Sequence, residues 1–245
     1  MLKCSQIIPK EVIVRKFITI PQRLILDKSL GEKRVIVYSA IYFSNLQDIS
    51  SLVSYSGYST CRNQSGVLSQ YKSIISSLVF QNYVKETDRG MVYNRPRSNF
   101  GIVTLAEFER IVEHRKTSKQ DGKLPNHAVT LLLLAYIRLR MIHSPDCPEM
   151  YSDLLSRISE NTGLSARAVS LALDTLKELG VIHNEELPRY IGKDGQWHSS
   201  VRIFVNMESQ TDEHDWRENL SRAKELILCA QHGGKKVGIE RPRAS

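Results

Sequence analysis

The chain has 245 residues, 41% of them hydrophobic, and a formal net charge of +8. That length suits one or two globular domains, the hydrophobic share is ordinary, and the positive excess points to a polyanionic partner. Four scattered cysteines (Cys4, Cys61, Cys147, Cys229) form no CxxC pair, which argues against a zinc ribbon or a redox dithiol and suits a reducing cytoplasm.

The segment 1–16 is an N-terminal arm whose opening Met-Leu-Lys-Cys-Ser-Gln has no apolar run of signal-peptide length. Ser29-Leu30-Gly31-Glu32 has capping-box spacing and opens a predicted helix to about residue 46, with Val35, Tyr38, Ile41 and Tyr42 as its apolar stripe. A short helix near 49–56 follows. From Gln64 to Phe80, Val67, Leu68, Tyr71, Ile74, Ile75 and Leu78 recur at helical spacing. A hairpin is expected over 84–87 and 91–93, turning at Asp88-Arg89-Gly90 and running into a basic loop with Arg95 and Arg97. A helix over 107–116 places Phe108, Ile111 and Val112 on one face. The segment 114–125 is basic; it is either a solvated connector or a strip whose Arg115, Lys116, Lys119 and Lys123 touch phosphates.

A second series begins with a mostly apolar helix over 128–142, carrying Arg138 and Arg140 and too short and too charged to span a membrane. Residues 151–159 are read as a second helix with Leu154, Leu155 and Ile158 inward. Gly163 supplies a sharp turn and Ser165 caps a third helix. Val169, Ala172, Leu173, Leu176 and Leu179 form the buried face of that helix, and Gly180 ends it. Ser165, Arg167 and Ser170 stay outward, short or basic groups suited to phosphates and base edges. An extended segment from Val181 leads through Arg189–Gly192 to a turn at Lys193-Asp194-Gly195 and a return strand over 200–205. Trp197 and His198 pack the base of that hairpin. Finally, 212–231 is an amphipathic helix with Trp216, Leu220, Ala223, Leu226 and Ile227 on one side, placed to pack on the second unit or to pair two chains as a homodimer.

Helix, helix, helix, hairpin is the order of a winged helix, and it occurs twice. The expected class is mainly α with small β-hairpin wings (α+β). Two tandem winged helix-turn-helix domains, 17–113 and 126–206, are joined by the linker 114–125; an amphipathic segment 207–232 and a basic tail 233–245 follow. In the first unit Arg62, Asn63, Gln64, Gln70 and Lys72 flank the candidate recognition helix, with Arg95 and Arg97 beyond the hairpin. In the second the candidates are Ser165, Arg167, Ser170 and Lys193 at the wing tip. Each has a plainer reading: Arg167 a solvated charge, Ser165 a cap, Lys193 a turn residue, Tyr71 core.

There is no GxxxxGK[ST], GxGxxG, HExxH or GxSxG motif. Seven histidines make no paired-ligand spacing, and Ser-Pro-Asp between His143 and Cys147 breaks any helix that would join them. No catalysis, cofactor or metal is expected, and the protein is expected to be cytoplasmic.

From Phe17-Ile18-Thr19-Ile20-Pro21 through Tyr38-Ser39-Ala40-Ile41-Tyr42, with Phe100-Gly101-Ile102-Val103-Thr104-Leu105-Ala106-Glu107-Phe108 and the second helix-turn-helix, the chain resembles tandem winged-helix proteins of Gram-positive plasmids, phages and integrative elements. Related architecture occurs in DnaD-type primosomal proteins and plasmid replication initiators. The resemblance implies double-stranded DNA as partner, a role in replication initiation or its control, and contact with replication proteins. A transcriptional regulator and a protein-docking primosomal accessory factor are the alternatives it leaves. One helix and a basic tail after residue 206 depart from the DnaD pattern and weaken a helicase-loading role.

Overall fold

A computed structural model of the chain describes residues 17–44, 48–58, 64–87, 90–117, 126–141, 150–187, 190–191, 197–198, 201–207 and 216–231. These residues are mainly helical with small antiparallel sheets, as the α+β expectation requires. The first half contains β1 (Phe17–Pro21), α1 (Gln22–Leu26), a 3-10 turn (Lys28–Leu30), α2 (Arg34–Ser44), α3 (Ile49–Tyr55) and α4 (Gln64–Phe80). The β2 (Val84–Thr87)–β3 (Gly90–Tyr93) hairpin, β4 (Phe100–Thr104) and α5 (Leu105–Thr117) complete it. The second half runs α6 (His127–Met141), β5 (Met150–Asp153), α7 (Leu155–Thr162), α8 (Ala166–Glu178), β6 (Ile182–Glu186), β7 (Tyr190–Ile191), β8 (Trp197–His198), β9 (Arg202–Asn206) and α9 (Trp216–Gln231).

Local signals explain several boundaries. Asp48 caps α3 by accepting from the amides of Ser50 (3.3 Å) and Ser51 (2.7 Å). Thr104 and Glu107 form a capping box on α5: the Thr104 hydroxyl accepts from the Glu107 amide at 3.2 Å, and the Glu107 carboxylate from the Thr104 amide at 2.8 Å. Since α5 runs to Thr117, the basic segment begins as helix, while 118–125 lie outside the described residues.

Two expectations are corrected, and one pairing is foreseen by no local pattern. Ser29 does not open a helix: Asp27 caps the 3-10 turn, accepting from the Ser29 amide at 3.0 Å, Gly31 takes a φ of 68°, and α2 starts at Arg34. The left-handed glycine interrupts the turn that a capping box needs. Residues 150–153, partly assigned to a helix, form β5, because β9 offers a pairing edge that outweighs local preference. β1 pairs antiparallel with β4, joining residues far apart in sequence.

Beside a smaller cluster under the last helix, the main core is one cluster from Ile18 to Phe204. Its axis is α6, buried all round apart from the half-buried Arg140, as a helix apolar on every face should be. Helices α1, α2, α5, α7 and α8 and strands β4 and β5 pack around it. At Gly101 the β4 backbone lies against α6 so closely that a Cβ would stand 2.2 Å from the Ala135 carbonyl oxygen. Arg138 crosses the same junction, donating to Glu107 at 2.8 and 2.5 Å, to the Ile102 carbonyl at 3.2 Å and to Asn206 at 3.2 Å.

The three-stranded sheet has the order β5-β9-β6 and is covered on both faces. Phe204 turns to the main core and stacks with Tyr151, while Ile203, Val205 and Met150 meet Ala223, Trp216, Leu220 and Ile227 of α9. That double cover explains why β9 lacks the simple inside–outside alternation expected of it. The apolar stripe of α9 is thus occupied within the chain, and of its five apolar residues only Leu226 is exposed. No helix among the described residues is long and apolar enough to cross a membrane.

Candidate nucleic-acid interface

Helix α8 is built as its sequence requires. Gly163, with φ of 75°, ends α7 and hands its amide to the Ser159 carbonyl. Ser165 then caps α8, its hydroxyl accepting from the Ala168 amide at 3.2 Å. Val169, Ala172, Leu173 and Leu176 are buried, and Leu179 is half-buried. Beyond the last turn Gly180 takes φ of 66°, and the Val181 amide reaches back to the Leu176 carbonyl at 3.0 Å, closing the end with a left-handed residue. Arg110 of α5 donates to the Leu179 carbonyl at 3.0 Å, a cation at the negative end of the helix dipole.

The same device ends α4. Asn82 has φ of 59° and the Tyr83 amide donates to the Leu78 carbonyl at 2.9 Å. Tyr83 therefore corresponds to Val181, and the same offset pairs Ser69 with Arg167, Ser73 with Leu171, Ser76 with Asp174 and Phe80 with Glu178. The two outward stripes differ in chemistry. Helix α8 presents Arg167, Leu171, Asp174 and Glu178, a mixed face with Leu171 52% exposed. Helix α4 presents Ser65, Ser69, Lys72, Ser73 and Ser76, with Phe80 92% exposed at its end, and contains no acidic residue. A polyanion meets no repulsive charge along α4.

The candidate residues distribute as follows. Gln70 and Lys72 are exposed on α4, with Gln70 accepting from Lys33 Nζ at 2.8 Å. Ser165 and Arg167 are exposed and Ser170 half-buried on α8. Gln64 opens α4, whereas Arg62, Asn63 and Lys193 lie outside the described residues. Arg95 and Arg97 are exposed but not at a wing tip. They follow Asn94, whose amide donates to the Tyr83 carbonyl at 3.0 Å and whose side chain donates to the Asn82 carbonyl at 2.7 Å, beside the C-terminal end of α4. With Val84 opposite Tyr93 and Thr87 opposite Gly90, the hairpin tip points away from them by about 10 Å, at roughly 3.3 Å per strand residue.

Sequence reasoning missed the segment that separates the two helices. Residues 27–33 are fixed to α4 through Lys33 and through Gln81, which donates to Asp27 at 3.2 Å. They are fixed to the α7–α8 turn through Lys28, whose Cγ would stand 3.0 Å from a Cβ at Gly163. Beneath them Arg34 is buried and donates to four carbonyls: Leu24 at 3.0 Å, Ile25 at 2.6 Å, Gly31 at 2.5 Å and Thr162 at 3.1 Å. Burial pulls the guanidinium down to about 10, against a smaller upward effect of Asp27, so it stays charged at neutral pH. The Thr162 carbonyl ends α7, so a fixed cation sits where the helix dipole is negative and ties the two halves together.

Further polar contacts among the described residues tie core elements together. The pairs Tyr136–Tyr151 (3.4 Å between hydroxyls), Tyr151–Asp153 and Asn161–Tyr136 (2.9 Å) knit α6, β5 and α7. Burial, then the hydrogen bond to Asp153, pushes the Tyr151 phenol well above its ordinary value, the reverse of what a nucleophile needs. Among the described residues no three His, Cys, Asp or Glu side chains group as metal ligands. No protein-family model, no curated protein and no solved structure matches this chain.

Proposed function

We propose that the protein binds double-stranded DNA sequence-specifically through two winged helix-turn-helix units, with α4 and α8 as recognition helices. The observation that carries this reading is the arrangement helix α6, strand β5, helices α7 and α8, strands β6 and β9, in a sheet of order β5-β9-β6, with a capped helix α8 exposed after a glycine turn. That order sets a helix on a compact support with a hairpin beside it, the geometry by which a helix enters a major groove while a wing meets the backbone. The acid-free face of α4 and the net charge of +8 supply the electrostatics. The likeness to tandem winged-helix proteins of mobile elements gives the setting: a cytoplasmic protein acting at an origin or operator, in replication initiation or its control.

Selection from random duplex DNA followed by affinity measurement at several salt concentrations tests this. A defined motif and a log–log salt slope of about −5, for about six phosphate contacts, are expected. Weak, sequence-blind or absent binding overturns it. A second reading, in which the α8 face docks another protein of the replication machinery, draws on exposed Leu171 beside Asp174 and Glu178. It predicts that Lys72→Glu weakens DNA binding while Arg167→Glu leaves it unchanged.

A further inference from the structure

We infer that residues 28–33 form a third DNA-contacting element, with Lys28 and Lys33 engaging the phosphate backbone between α4 and α8. This rests on the DNA-binding reading above and adds a contact site to it. Two clefts flank the segment. One, of about 370 Å³, lies between residues 29–33 and the Gln70–Ser73–Ile74 edge of α4. The other, of about 200 Å³, lies between Lys28, Gly31, Glu32 and the Gly163–Ser165–Ala168 start of α8. Gly31 and Glu32 border both, so this one segment lies between the Gln70–Ser73 edge of α4 and the N-terminal turn of α8.

Lys28 is held by its stem and Lys33 by its ammonium. The methylenes of Lys28 lie over the Gly163 turn, and Lys28 lines the same cleft as the exposed Ser165. Lys33 lies 5.6 Å from the Tyr58 ring centre and hydrogen-bonds Gln70, which sets its charge at the edge of the α4 stripe. Two acids are near, and each is turned to another group. Asp27 accepts from Ser29 and Gln81, and Glu32 accepts from Asn126 at 2.7 Å. The mount is stiff, because buried Arg34 fastens Gly31 to α1 and to the end of α7. A duplex lying on both helices passes over a segment whose two cations need no further ordering.

The test uses the full chain and a 30-base-pair duplex of mixed sequence, with binding followed by fluorescence anisotropy from low to moderate salt. Lys28→Met with Lys33→Met keeps the stems and removes the charges. The log–log slope should flatten by about 1.8, which between 50 and 200 mM salt is about a 12-fold smaller loss of affinity. Arg222→Ala, an exposed charge on α9, should leave the slope unchanged. A double variant that melts like the parent and keeps the parental slope overturns the inference while leaving DNA binding by the helices standing. A parent chain that binds no duplex overturns both.

Discussion

Arg138 and Glu107 form a buried pair, 3% and 2% exposed, bonded at 2.8 and 2.5 Å. Replacing Glu107 by alanine leaves the guanidinium in the core with only the Ile102 carbonyl and Asn206 as partners, both at 3.2 Å. Breaking such a pair from one side costs about 3–5 kcal/mol, and the variant also loses the carboxylate that caps the Thr104 amide, worth about 1 kcal/mol. The two losses share one side chain, so we expect a total near 4 kcal/mol rather than their sum. For a chain of this size that is a fall in Tm of about 8–16 °C. Replacing both residues, Glu107→Met with Arg138→Met, removes the stranded charge and should recover most of the deficit, because a well-packed apolar pair of similar volume is often equivalent to a buried ion pair. Urea unfolding of the parent, Glu107→Met, Arg138→Met and the double variant closes the cycle, with Glu107→Ala measured beside it. A Glu107→Ala cost below about 1 kcal/mol, or a double variant no better than the single one, would refute this account of the junction.

Gly101→Ala forces a methyl to within 2.2 Å of the Ala135 oxygen, backbone against backbone, and should cost about 3 kcal/mol or prevent soluble expression; a Tm within 2 °C of the parent, where about 6–12 °C is expected, contradicts that packing. Burial and then the charge of Lys177 lower the pKa of His183, whose ring lies 4.7 Å from Trp216 with Glu185 at 4.0 Å. A depressed histidine binds fewer protons when folded. The attachment of α9 is therefore fully stable above the unfolded value, about 6.5, and weakens as pH falls through the folded one. Trp fluorescence should report this, and His183→Phe should abolish the pH response. If α4 reads DNA, Lys72→Glu should weaken duplex binding by tenfold or more and flatten the salt slope by about 0.9, whereas unchanged affinity and slope remove α4 from the interface.

What the sequence disclosed was local, and what it concealed was remote. Helix α8, its Ser165 cap and its two glycine termini follow from residues within a turn of one another, and so do α4 and the β2–β3 hairpin. Strand β1 carries no local mark of its partner, because Phe17 meets Thr104 only in the fold. Met150–Asp153 leads straight into the apolar Leu154 and Leu155, so a helical pattern absorbs a strand that β9 alone decides. The Thr104–Glu107 capping box is local as well, its two residues standing at capping-box spacing in the sequence. Arg34 and Arg138 look like solvated charges in sequence, since their partners are carbonyls and a carboxylate contributed by other elements. In the interface, Arg167 announced itself by charge, whereas Ser69, Ser73 and Ser76 carry no such signal. Their place emerges from matching the Tyr83–Leu78 and Val181–Leu176 helix endings.

The shared core governs how the two units behave. Helix α6 opens the second unit, yet α1, α2 and β4 of the first bury it together with α7 and α8. Removing the first half exposes leucines 131 to 134, Ile137 and Leu139, each now shielded almost completely from water, and removing the second uncovers the faces of α1, α2 and β4 that pack on them. At about 25 cal/mol per Å² of apolar surface, exposing one such helix face costs more than the several kcal/mol that typically separate folded from unfolded domains. The halves should therefore unfold in one transition, without an intermediate in which one survives. Both tryptophans, Trp197 and Trp216, lie in the second half, so their fluorescence reports that half, while amide exchange along α4 reports the first. The two probes should give one urea midpoint and one slope; separate midpoints would show the core to be divisible. A single transition carries a consequence for recognition. With Arg34 bonded across the seam and Lys28 lying over the Gly163 turn, the angle between α4 and α8 is set by folding and not by DNA. If both helices read DNA, a duplex whose two contact segments are moved apart by half a helical turn should lose one helix entirely, where flexibly linked domains would follow the displacement.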